Sequence, residues 1–127
     1  MLITVDFAGE TPIYAQIRDQ IIVGIAGKAL APGEALPSVR RMAADIGVHA
    51  HTVNKAYTAL RDGGYIVIDR RSGCRVSDRV PAADREFTDE LCGQLLPIIS
   101  SAACRHLGAE EFKAVCDTVF QKLEGKS

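Results

Sequence analysis

The sequence predicts a mainly α chain with a small β element, an N-terminal unit over residues 1–80 and a helical unit over residues 81–127. Three observations carry that expectation. Apolar residues recur at spacings of three and four over residues 13–25, 39–46 and 53–60. A β-branched run at 65–69 follows, then a basic turn and a second short run at 74–77. Beyond a Pro-containing linker, two more amphipathic stretches occupy residues 87–107 and 110–123.

Residues 2–7 (LITVDF) alternate and are β-branched, which reads as a short strand or an extended arm. Thr11-Pro12 starts the first helix, with Thr11 as its cap and Pro12 at the first helical position, where a missing N–H costs nothing. Ile13, Tyr14, Ile17, Ile21 and Ile25 form its apolar stripe, with Ile22 beside it. Residues 29–36 (ALAPGEAL) read as a loop with a Pro-Gly turn, whose Leu30 and Leu36 plug the core.

In the central stretch, residues 36–66, Ser38 can cap a helix beginning at Val39. Val39, Met42, Ala43 and Ile46 share one face, and Gly47 stands where a helix stops. A second helix runs from about Ala50 to Arg61, with Val53, Ala56, Tyr57 and Leu60 inward. Two short helices joined by a tight Gly turn make a helix-turn-helix. The outer face of the second carries His49, His51, Thr52, Asn54 and Lys55, polar and free of acids, as a helix entering the DNA major groove requires. By itself the pattern suits an ordinary solvated helical hairpin equally well. The strand pair that follows, with Arg70, Arg71, Ser72 and Gly73 between its arms, makes a basic wing and hence a winged helix-turn-helix.

The runs PIYAQIRDQI (12–21), APGEALPSVRRMAADIGV (31–48) and TVNKAYTALRDGGYI (52–66) resemble the GntR family of bacterial transcription regulators. The remaining length is similar to that of its YtrA-type subfamily, whose small C-terminal part is a pair of helices used for dimerisation. The resemblance implies DNA contacts from Ser38, Arg40 and Arg41 at the start of the first helix of the pair. It extends them to His49, Ala50, His51, Thr52, Asn54 and Lys55 on the second, and to Arg71, Ser72 and Gly73 in the wing. Arg40 is the strongest of these, because the matching family Arg contacts DNA and a guanidinium fork suits guanine or phosphate. Ala50 stands where many relatives carry a polar reader, so one common base contact is expected to be missing. In the wing, Arg71 replaces a Gly and Arg75 an aromatic, which predicts a more basic and less tightly bent tip.

Bulk properties agree with a partner of this kind. The net charge is only −1, but residues 38–79 hold eight Lys and Arg against four Asp, while residues 81–127 hold five basic and eight acidic residues. No apolar run approaches the ~18 residues of a membrane span, and MLITVDFAGE lacks the marks of a signal peptide. The expected location is therefore the cytoplasm. Cys74, Cys92, Cys104 and Cys116 form no C-x-x-C pair and read as small apolar residues. His49 and His51 lack a third ligand nearby, so no metal is expected, and neither a cofactor nor an enzyme motif is visible.

Pro81 marks the linker, and Pro97 is expected to kink the next helix or split it in two. Leu91, Leu95, Ile98 and Ile99, then Phe112, Val115, Val119 and Phe120, form apolar stripes too small for a core of their own. Two copies would pair through them. The expected function is a homodimeric, sequence-specific DNA-binding regulator, a repressor by analogy, on an inverted-repeat operator of double-stranded DNA. Two alternatives remain at this point: a winged helix that binds protein, or a regulator responsive to thiol chemistry or metal through the C-terminal cysteines. The sequence names no small-molecule effector.

Overall fold

The computed structural model describes residues 2–125. Its elements run α1 (Ile13–Ala26), β1 (Ala35–Leu36), α2 (Val39–Ile46), α3 (Ala50–Asp62), β2 (Ile66–Asp69), β3 (Gly73–Val76), α4 (Arg85–Cys104) and α5 (Ala109–Leu123). They form two compact units that divide between Val80 and Pro81.

The first unit has one core. Ile17 and Ile21 of α1, Val53, Tyr57 and Leu60 of α3, and Ile66 and Val76 of the hairpin are all fully buried within it. Each such side chain contributes about 1.5–3 kcal/mol relative to exposure. α3 is the hub, packing on α1, α2 and β2. A polar tie joins this packing: the buried Tyr57 hydroxyl donates to the Pro37 carbonyl at 2.7 Å. Burial pushes the Tyr57 phenol well above its ordinary range, so it stays a neutral donor.

α2 begins and ends as its residues require. Ser38 Oγ accepts from the Arg41 N–H at 3.1 Å, and Gly47 closes the helix in the left-handed region at φ 74°. The Gly47 and Val48 N–H groups both return to the Ala43 carbonyl, which makes the turn into α3 tight. The three strands lie in the order β1-β3-β2, all antiparallel. Ile66 pairs with Val76 and Asp69 with Gly73, leaving Arg70, Arg71 and Ser72 as the tip. Asp69 Oδ1 accepts from the Arg71 N–H at 2.9 Å. That bond, the Ser72 hydroxyl and the charge of Arg75 hold the Asp69 carboxyl below its ordinary range.

Several expectations change. Thr11 does not cap α1; Pro12, with ψ 146°, is the N-cap, and its carbonyl accepts from the Ala15 and Gln16 N–H groups. The Thr11 carbonyl instead accepts from the Gln16 side chain. Of the two alternatives for residues 2–7 the extended arm holds, and it lies along α1. Gln20 exchanges two hydrogen bonds with the Thr4 backbone and Gln16 two with the Asp6 backbone. The match is geometric: four helical residues rise about 6.0 Å and two extended residues about 6.6 Å. Ile3 is thereby buried. The segment read as a loop contains β1, which exists because β3 lies beside it.

In the second unit, α4 runs unbroken through Pro97 rather than splitting. The proline removes the N–H that would reach Gly93, but Gly93 is exposed and its carbonyl can turn to water. Asp84, read as linker, caps α4 by accepting from the Phe87 N–H at 2.8 Å. Among the described residues of this unit none is buried, and α4 and α5 scarcely pack on one another.

Tyr57→Phe keeps the ring and removes only the hydroxyl; it is expected to cost about 1–2 kcal/mol in urea denaturation, and an unchanged midpoint would refute the tie. The depressed Asp69 pKa stabilises the wing tip above the unfolded carboxylate value of about 3.9, and this is lost as pH falls through the lower folded value. The Arg71 amide resonance should therefore hold its position through the ordinary carboxylate range and move only in stronger acid.

Candidate nucleic-acid interface

The predicted contact residues fall on three neighbouring elements of the first unit: the start of α2, the outer face of α3 and the hairpin tip. Capping by Ser38 fixes the first turn of α2, which leaves Arg40 and Arg41 exposed. Arg41 Nε lies 3.4 Å from Asp45 Oδ1 in an exposed i,i+4 pair, an interaction weak enough to yield to a better anion. Arg40 is exposed and has no partner among the described residues. Because Tyr57 holds the Pro37 carbonyl, Arg40 and Arg41, three and four residues further along the chain, are referenced to the core of α3.

On α3, His49 is the N-cap residue with an extended backbone, but its side chain makes no capping bond. Its carbonyl receives the N–H groups of Thr52 and Val53. Ala50, His51 and Asn54 are exposed, and Thr52 is half-buried. A cleft lined by Phe7, Ile13, Gly47, Val48, His49 and Thr52 opens beside the start of this helix. It brings the end of the arm next to the turn.

The hairpin tip presents Arg70, Arg71 and Ser72, all exposed. Gly73 takes φ 75° and a Cβ there would meet nothing within 4 Å. The structure thus gives Gly73 a conformational part: the left-handed residue that returns a three-residue turn into β3. Arg75, expected to add to the basic tip, lies 3.9 Å from Asp78 and is half-buried on the strand.

Lys55 is exposed on the outer face of α3, as expected, and has a neighbour that the sequence does not show. Its ammonium sits 4.1 Å from the centre of the Tyr14 ring on α1. Arg18 lies over the same ring at 5.6 Å and pairs with Asp19 at 3.0 Å. Tyr14 and Arg18 were not among the predicted site residues. Tyr14 fell within an apolar stripe and read as core; the signal that could have found it is its phenol, which a wholly buried position seldom accepts without a partner.

The second unit carries Leu91, Ile98, Ile99, Val115, Val119 and Phe120 exposed, with Leu95 and Phe112 half-buried. Cys92 and Cys104 are exposed free thiols, and Cys116 is half-buried.

Comparison with known proteins places this arrangement. Residues 13–76 match the bacterial regulatory proteins of the gntR family. The chain is 36% identical over 107 residues to the HTH-type transcriptional regulator Rv1152 of Mycobacterium tuberculosis, covering 81% of this chain and 88% of that one. Among solved structures, a transcriptional antiterminator from Listeria monocytogenes superposes with a TM-score of 0.90 at 25% identity, over 100% of this chain and 96% of that one. YtrA from Sulfolobus acidocaldarius, a GntR-family transcription factor, gives 0.62 at 39% identity, over 76% and 99%. The DNA-binding domain of AraR in complex with operator ORX1 gives 0.54 at 26% identity, over 61% and 99%. With half its length matched by the family pattern and a relative aligned over most of both sequences, the chain belongs to the GntR family of bacterial regulatory proteins.

Proposed function

We propose that the chain is a cytoplasmic, homodimeric transcriptional repressor that binds an inverted-repeat operator in double-stranded DNA. The observation that carries this is the outer face of α3. His51 and Asn54 stand exposed there, with Arg40 free at the start of the neighbouring helix and a basic hairpin tip beyond. α3 would lie in the major groove, Arg40 would reach a guanine edge or a phosphate, and Arg71 would meet the flanking backbone. Asn54 can offer adenine one donor and one acceptor. The AraR domain, captured on its operator, supports this use of the fold.

The homodimer is supported by the second unit. Two helices with wide apolar faces and no buried residue of their own are stable when paired with the same faces of another copy. Pairing doubles the basic surface, which offsets the small charge of one chain. It would also fix the distance between two α3 helices, and so the half-site spacing at about one helical turn or more. The YtrA relationship supports repression as the mode of action, since the YtrA of Bacillus subtilis is named a transcriptional repressor.

Binding to the chain's own upstream DNA should be tight at low salt, its logarithm falling linearly with log salt as counterions are released; affinity indifferent to salt would count against the proposal. Arg40→Ala should cost about 1–3 kcal/mol per half-site and blur preference at one base pair in each, and an equal loss on every sequence would make Arg40 a phosphate contact. Replacing Val119 and Phe120 with Glu should give single subunits in sedimentation velocity and weaken operator binding, whereas an unaltered sedimentation coefficient would remove the helical faces from the interface.

A further inference from the structure

Lys55 and Tyr14 meet on one flank of the helix proposed to enter the groove. At 3.6 residues per turn, the buried residues Val53, Ala56, Tyr57 and Leu60 centre one face of α3, and His51 lies opposite them. Lys55 is one turn after His51, rotated toward the side on which α1 packs. Its ammonium rests against the Tyr14 ring at 4.1 Å. Arg18 approaches that ring at 5.6 Å. Two cations therefore share one aromatic ring, and among the described residues the carboxylate engaged there is Asp19, which is spent on Arg18. The ring attracts a cation but does not neutralise it, so the charge on Lys55 remains uncompensated and held in place. Arg40 stands on α2, which packs on α3 as a separate neighbour from α1. A helix lying in a major groove about 12 Å wide has one phosphate strand along each flank.

We infer that Tyr14 and Lys55 form a phosphate clamp, in which Lys55 contacts the DNA backbone on the α1 side of the groove and the Tyr14 ring positions it. This rests on the proposed DNA binding. It assigns Lys55 to the sugar-phosphate chain rather than to a base edge, and gives Tyr14 a positioning role. Because the ammonium is parked before DNA arrives, less side-chain freedom is lost on binding than for an unanchored lysine.

The test is a salt titration of the full-length chain on its operator and on an unrelated duplex, read beside the same titrations for Lys55→Gln, Tyr14→Leu and Tyr14→Phe. Lys55→Gln should reduce the slope of log affinity against log salt by about 1.8 for the dimer, about 0.9 for the one phosphate that each subunit contacts, and should weaken both duplexes equally. Tyr14→Leu should weaken both duplexes, and Tyr14→Phe, which keeps the ring, should bind as the parent does. An unchanged slope for Lys55→Gln overturns the clamp, as does a loss confined to one base position. Parent-like binding by Tyr14→Leu removes the positioning role. Thermal melting of each variant separates these outcomes from a fold defect: should Tyr14→Leu melt early, Lys55→Gln alone decides. Failure of the parent chain to bind any duplex would instead sink the proposed function on which the clamp rests.

Discussion

The bond between the Tyr57 hydroxyl and the Pro37 carbonyl is the constraint through which the first unit works. Apolar packing alone holds α3 among its neighbours, but it is tolerant of small slides and rotations. A directional bond from the middle of α3 to the residue just before the α2 cap removes that tolerance. It sets where Ser38 can reach the Arg41 N–H, and so where the first turn of α2 points its arginines. The phenol can hold this position because burial keeps it protonated.

A second layer of order comes from polar side chains that substitute for backbone. Asp69 receives the Arg71 N–H in the hairpin tip, Ser77 donates to the Gly64 carbonyl at 2.7 Å, and Glu34 receives the Ala31 N–H. No buried side-chain nitrogen or oxygen among the described residues lacks a partner. Of these three side chains only Ser77 is buried, and its bond to Gly64 meets the cost of taking its hydroxyl out of water. The exposed face of α3 is built differently: the side chains of His51 and Asn54 have no partners among the described residues, which is the condition expected of groups that bond to something else.

Much of this was legible in the sequence because it follows local rules. Ser38, Gly47 and the apolar spacing of residues 39–60 define α2, the turn and α3 within a residue or so, and the β-branched run with Gly73 defines the hairpin. What escaped depends on partners distant in the chain. β1 has two residues, too few to show alternation, and is a strand only because β3 passes it. The arm and the ring contact of Lys55 need α1 placed beside them first. At Pro97 the alternative of two shorter helices does not hold, because a solvated helix can leave one carbonyl to water. The residues at caps and turns were within reach of sequence reasoning, whereas the contact of Lys55 with a ring on another helix was not.

The glutamines that fasten the arm carry a consequence of their own. Helical and extended repeats agree over a single step and drift apart on the next, like the two scales of a vernier. Seating can therefore occur at one setting, with Thr4 opposite Gln20 and Asp6 opposite Gln16. Insertion of one residue between Thr4 and Asp6 would leave the two amides without a common alignment and turn Ile3 or Val5 outward. The leading segment is keyed to α1 by arithmetic, through its backbone at Thr4 and Asp6 and the buried side chain of Ile3.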